Sequence, residues 1–177
     1  MLAVANNGTV PVMCLPARLS AQQDRTWSLL VGVMMWLPAE LDAFLERNAE
    51  LSHAEYQVLR WLSASEDREI HMGRLAATAS VTPSHLSRIV ARLENRSLLT
   101  RVSDPADARR TLARLTVEGA ALVDEVEPLY AAEVHRHVFE RLQQSDIEGL
   151  EDITETILAA LRADCVAVLP PRSPRGA

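Results

Sequence analysis

Five side chains between positions 84 and 92 share one kind of chemistry: Ser84, His85, Ser87, Arg88 and Arg92, with the small Ala91 among them. Hydroxyls and an imidazole donate and accept hydrogen bonds, and arginines present a planar fork of donors. No acid precedes Glu94 in this stretch. A helix face that only meets solvent usually mixes Glu with Lys or Arg. A face that enters a DNA groove needs small hydrogen-bonding residues and arginines to reach base edges and phosphates. Taken alone, the stretch is compatible with either.

The element that must position these residues spans positions 82–99. Thr82 is a good N-cap, and Pro83 suits the first helical position, where no N–H is needed. Leu86, Ile89, Val90 and Leu93 recur at i, i+3, i+4 and i+7, one apolar stripe opposite the polar face. The spacing predicts a single short helix over this whole stretch.

The flanking segments give it a context. Residues 1–22 have no clean period and contain Pro11, Pro16 and Asn6-Asn7-Gly8, so they read as a flexible arm. A first helix is expected over 24–48, with a kink or break at Pro38. Ser52 and Glu55 have capping-box spacing, with Leu51 and Tyr56 as a hydrophobic staple, so a second helix opens at Ser52 and ends near Ser65. A small strand at 69–71 and a brief helix at 73–79 follow. The turn Ser80-Val81 then makes this pair of helices a helix-turn-helix. Beyond it, alternation at 99–103 and 111–115 around Asp104-Pro105-Ala106-Asp107 predicts a β-hairpin with a charged tip, a wing. Thr116 caps a long helix at about 117–142, in which Pro128 should cause a kink. Ser145 and Glu148 form another capping-box pair, opening a last helix to about Ala163. Ile147, Leu150, Ile153, Ile157, Leu158 and Leu161 make its apolar stripe. The proline-rich tail 165–177 reads as disordered.

Composition fits this reading. The chain has 177 residues, few aromatics, a net charge of −6 and a pI near 5.4. That balance argues against non-specific coating of nucleic acid. All 18 basic residues are arginine. Between Arg74 and Arg114, eight arginines (74, 88, 92, 96, 101, 109, 110 and 114) face three acids (Glu94, Asp104 and Asp107), a local +5 on a chain whose remainder carries −11. Such an island points to one phosphate-binding face. Two distant cysteines, Cys14 and Cys165, are no disulfide framework, and a reducing cytoplasm is the expected compartment. The apolar run 27–37 is shorter than the roughly 20 residues of a bilayer span, so no membrane partner is expected.

The order of helices, helix-turn-helix, wing and two long helices resembles the MarR family of bacterial transcriptional regulators over about 37–161. Its most specific portion is the D-x-R-R tip (Asp107, Ala108, Arg109, Arg110) followed by L-T-x-x-G (Leu115, Thr116, Gly119). The family often has Gly where this chain has Ser80 and Ser97. If those positions need positive φ, each non-Gly residue costs on the order of 1 kcal/mol. The expected class is mainly α: a winged helix-turn-helix with long flanking dimerisation helices and a two-stranded β-wing. The arm would be 1–22 and the domain 23–164. Within it, the DNA-binding lobe covers about 51–116 and the dimerisation helices about 23–48 and 117–163.

Site roles follow. Thr82, Ser84, His85, Ser87 and Arg88 form the set facing bases and nearby phosphates, with Arg92 a phosphate contact. The resemblance implies that Arg109 enters the minor groove and that Asp107 orients the arginines. Arg110 is open between a phosphate contact and a second wing contact. Arg74, Arg96, Arg101 and Arg114 are open between phosphate contacts and plain surface. The apolar surface of the long helices calls for a homodimer that reads double-stranded DNA as a pseudo-palindrome. The resemblance also implies release by a small aromatic or lipophilic effector. Trp27, Met34, Tyr56 and Trp61 could line its pocket, with Met35 and Trp36 beside them, or belong to the core. No catalytic motif, cofactor or metal set is visible, since His135 and His137 sit two apart on a helix. Other readings are a redox- or metal-sensing repressor, Cys14 being the thiol, and a winged-helix adaptor for protein.

Overall fold

A computed structural model describes residues 18–107 and 109–166, with side chains of 163–166 excepted. The expected arm, apart from its last few residues, together with Cys14 and most of the tail, lies outside the described residues. The chain divides into two compact units, 1–36 and 37–177. In order, the elements are α1 (Ala21–Ala49), α2 (His53–Ala64), a short 3₁₀ turn (Glu66–Arg68), β1 (Glu69–His71), α3 (Met72–Thr78), α4 (Pro83–Asn95), β2 (Leu99–Ser103), β3 (Thr111–Leu115), α5 (Val117–Val134), a π turn (His135–Phe139) and α6 (Gln144–Val166). The fold is mainly α with a small antiparallel sheet.

The described part of the first unit is helical. Trp27, Leu29, Val33, Met34, Met35 and Trp36 are all exposed there. By length and composition α1 is apolar enough to cross a bilayer, with a mean hydropathy of 1.5 over 18 residues, which the shorter run 27–37 did not suggest. Its C-terminal half nevertheless places Leu41 and Leu45 in the core of the second unit.

That core is built from the stripes read in the sequence. Tyr56, Val58, Leu59 and Leu62 of α2 are fully buried, as are Leu75 of α3, Val90 and Leu93 of α4 and Leu99 of β2. Leu86 and Ile89 are 1% exposed. Each such side chain contributes about 1.5–3 kcal/mol relative to exposure. The Ser52–Glu55 capping box forms in both directions.

Several boundaries differ from expectation. α4 stops at Asn95, not Leu99, because Ser97 takes a positive φ of 58° and turns the chain so that Leu98 and Leu99 enter the core. Ser80, in the turn before α4, has φ 52°. Both are positions where left-handed backbone favours Gly. Neither Pro38 nor Pro128 breaks its helix. Both prolines are exposed, and the carbonyls they leave without a donor belong to the exposed Met34 and Asp124, which water can serve. The regular hydrogen-bond pattern of the long helix ends at the π turn after Val134. The last helix opens two residues early, at Gln144. Asp146, not the Ser145–Glu148 pair, caps it: its carboxylate accepts the Gln143 N–H at 2.9 Å.

The hairpin β2–β3 has the expected strands, but the sheet has three, in the order β1-β3-β2. β1 pairs with β3, placing Glu69 opposite Arg114, so the wing is tied at its base to the start of α3. The L-T-x-x-G signature has a steric meaning. The Thr116 N–H bonds the Leu98 carbonyl and its hydroxyl accepts the Gly119 N–H at 3.0 Å. This draws Gly119 so near that a Cβ there would lie 2.0 Å from the Leu98 oxygen. Gly119→Ala is therefore expected to lower stability by about 1–3 kcal/mol or more. A urea titration followed by circular dichroism checks this, and an unchanged midpoint would show that the close approach is absent in solution.

Candidate nucleic-acid interface

With its four apolar residues buried, α4 turns Ser84, His85, Ser87, Arg88 and Arg92 outward, all exposed. Thr82 caps the helix, its hydroxyl accepting the His85 N–H at 3.2 Å and lying 3.1 Å from the Ser84 hydroxyl. The structure thus brings these six residues together on one face and one helix end. His85, Arg88, Ala91 and Arg92 line a shallow groove there.

The wing forms a second cluster. Its tip is closed by backbone bonds from Asp107 to the Asp104 carbonyl and from Arg110 to the Asp107 carbonyl. The Asp107 carboxylate accepts the Arg109 N–H at 3.1 Å and lies 3.4 Å from Nε of both Arg109 and Arg110. It therefore sits between the two arginines, while Arg109 projects outward with its side chain 94% exposed. Pairs this exposed contribute little to stability and are readily exchanged for another anion.

Other arginines in the positive stretch have structural partners that the sequence left open. Glu55 does double service: one carboxylate oxygen closes the capping box of α2, and the other accepts Arg92 Nε at 2.8 Å. A nearly buried acid thereby fixes α4 against the start of α2. Removing it would leave the capped N–H unpaired, a loss of about 0.5–2 kcal/mol, while the exposed Arg92 would return to solvent. Arg101 pairs with Glu94 at 2.8 Å and donates to the Ser87 carbonyl at 2.9 Å, binding the wing to α4. Arg96 donates to the Ala49 and Glu50 carbonyls, satisfying the C-terminal end of α1. Arg114 pairs with Glu69 at 2.5 Å across the β1–β3 register. Only the register of a strand found far away in sequence could have exposed that last pair.

The four candidate effector residues differ in exposure. Trp27 and Met34 are exposed on the N-terminal half of α1. Tyr56 is wholly buried, and Trp61 is half-buried against the core. Tyr56 belongs to a polar seam between α2 and α5. Its hydroxyl donates to Glu127, which also pairs with Arg60 at 3.1 Å, and its ring packs 4.7 Å from that of Tyr130. Burial, reinforced by Glu127, pushes the Tyr56 hydroxyl pKa well up. Arg136 beside Glu133 holds that carboxyl down at about 2. His137 also lies 3.1 Å from Glu133, and among the described residues no group of three or more ligating side chains gathers for a metal.

These two clusters and the sheet behind them define a winged helix-turn-helix. A profile of the MarR family matches residues 49–110. The transcriptional regulator HosA of Escherichia coli O111:H- is 34% identical over 80 residues, which are 45% of this chain; the chain spans 58% of the length of that relative. The MarR family regulator Sco3205 of Streptomyces coelicolor, solved in complex with DNA, is 32% identical with a TM-score of 0.80, over 84% of this chain and 93% of that one. CouR of Rhodococcus jostii RHA1, solved with p-coumaroyl-CoA, is 25% identical with a TM-score of 0.67, over 87% and 100%. The chain belongs to the MarR family, a family of transcriptional regulators and not of enzymes.

The polar seam makes a pH prediction. His53 Nε2 lies 3.1 Å from the Tyr130 hydroxyl and 3.0 Å from Gln57 Nε2, a donor, so a neutral ring with Nε2 accepting fits the network. Burial lowers the His53 pKa from 6.5, partly offset by Asp42. The unfolded chain then binds the proton more readily than the folded one, so stability is full above 6.5 and declines as pH falls below it. Thermal melts between pH 7.5 and 5 should show that decline, and His53→Gln should flatten it. Equal slopes in both proteins would remove His53 as its source.

Proposed function

We propose that two copies of this chain form a DNA-binding homodimer that represses transcription from a pseudo-palindromic operator. The observation that carries this reading is the outward polar face of α4 joined, through Arg101, to a hairpin whose tip projects Arg109. α4 would enter the major groove, with Thr82, Ser84, His85, Ser87 and Arg88 toward base edges and Arg92 toward phosphate. Arg109 would enter the adjacent minor groove with Asp107 orienting it, and Arg110 would meet the backbone. The lobe 51–116 would serve DNA, and helices 23–48 and 117–163 the dimer. Support for the dimer comes from the apolar face of α6, where Leu150, Ile153, Ile157 and Leu161 stand exposed among the described residues. Two α4 helices would then lie one DNA turn apart, about 34 Å.

Release would come from a small lipophilic or aromatic ligand that binds better to a different spacing of the two lobes, drawing the population away from the operator. Support for the ligand class is the p-coumaroyl-CoA held by CouR. Working on chromosomal DNA, such a repressor belongs in the cytoplasm.

The test is binding to duplexes selected from random DNA, titrated with salt, alongside light scattering of the free protein. Tight, salt-sensitive binding is expected from a species of twice 19.6 kDa. Arg109→Ala should weaken it and lower the salt slope by roughly 1. An unchanged slope would take the wing out of the interface, and a monomer that binds fully would overturn the dimer.

A further inference from the structure

The arginines near α4 differ in what already holds them. Glu55 holds Arg92, Glu94 and the Ser87 carbonyl hold Arg101, and two carbonyls at the end of α1 hold Arg96. Arg88, exposed at the middle of the outward face, makes no ion pair or side-chain hydrogen bond with any described residue. Its neighbours Ser84, Ser87 and Ala91 are small, which leaves Arg88 and the flanking His85 and Arg92 as the large side chains of that face. The hydroxyls of Thr82 and Ser84 lie within bonding distance of each other, and Thr82 also caps the helix. Arg88 is therefore the strong donor of α4 that reaches outward without first giving up a partner.

We propose that Arg88 is the specificity-determining residue of α4 and that the base it reads is guanine. The inference rests on the DNA-binding reading above. In the major groove, guanine presents two acceptors, O6 and N7, side by side, matching two donors of one guanidinium edge. An arginine already held by a carboxylate keeps free donors but has less freedom to align two of them with one base edge. For this reason Arg92 suits phosphate, where Glu55 can keep its hold on Nε while other donors reach out. The operator should then carry one fixed guanine in each half-site, with Arg88 above it.

The test selects duplexes from random DNA with the full-length wild-type chain and with Arg88→Ala. Wild type should enrich one guanine per half-site, and replacing that guanine with 7-deazaguanine, which lacks the N7 acceptor, should weaken binding about tenfold. Arg88→Ala should bind both duplexes alike and lose that guanine from its own selection while keeping the other preferred positions. Arg88→Lys restores the charge without the fork, so a mere phosphate contact would recover full affinity in it. Arg88 is exposed and has no partner among the described residues, and an unchanged melting temperature in each variant verifies that the fold is intact. Continued enrichment of the same guanine by Arg88→Ala would overturn the inference. So would uniform weakening across all sequences with a salt slope lower by about 1, or full rescue by lysine. If the wild type enriches no sequence at all, the inference falls together with the DNA-binding reading. If it enriches a site and only the Arg88 results fail, that reading stands and the inference alone is lost.

Discussion

The structure depends on one constraint, which is that α4 has a single apolar stripe. Burying Leu86, Ile89, Val90 and Leu93 leaves no freedom in which side chains face outward. At about 100° per residue the opposite face must be the one carrying Ser84, His85, Ser87, Arg88 and Arg92. Rotating the helix by even half a turn would expose four large aliphatic residues and bury two arginines, a change costing far more than the marginal stability of a domain. The fixed direction of that face follows from the same packing that makes the core. Elements around α4 then fix its ends. Thr82 caps its start, Ser97 reverses the chain after its last turn, and Glu55 secures Arg92 to α2.

Charge is used twice in this chain. Counted along the sequence, the stretch around α4 and the wing is a positive island on an acidic protein. In three dimensions several of its arginines serve structure: Arg101 and Arg114 each cross from one element to another to meet an acid, and Arg96 closes the end of α1. The charge that remains outward lies at the middle of α4, at the wing tip and at the exposed Arg74 of α3. In the proposed interface the long-range attraction would come from few cations, while ion pairs within the protein hold the elements that carry them.

What was legible in the sequence was local. The Ser52–Glu55 box, the Thr82-Pro83 start, the stripe of α4, the hairpin and the Thr116 cap all depend on residues within a few positions of one another, and each is formed. The requirement for positive φ at Ser80 and Ser97 was legible only through resemblance, because serine itself carries no such signal. Illegible were the contacts that need the tertiary fold: β1 joining β3, Glu55 reaching Arg92, and the seam of Tyr56, Glu127, His53 and Tyr130 between α2 and α5. Where competing local signals were present, the weaker reading sometimes held. Pro38 and Pro128 leave their helices unbroken because each faces solvent, where a freed carbonyl can be hydrated. The Ser145–Glu148 spacing lost to Asp146, which reaches the first free N–H directly. For the candidate site, the face of α4 and the tip of the wing could be named in advance. Which arginines were already occupied could not.

The placement proposed for α4 is the major groove, with the wing tip in the minor groove beside it. Dimethyl sulfate probes both at once, since it methylates guanine N7 in the major groove and adenine N3 in the minor groove. On a selected operator bound by the full-length protein, two patches of protected guanine N7 are expected about 34 Å apart. Each should be flanked by protected adenine N3. Unprotected guanine N7 throughout a fully bound site would contradict the placement of α4 in the groove.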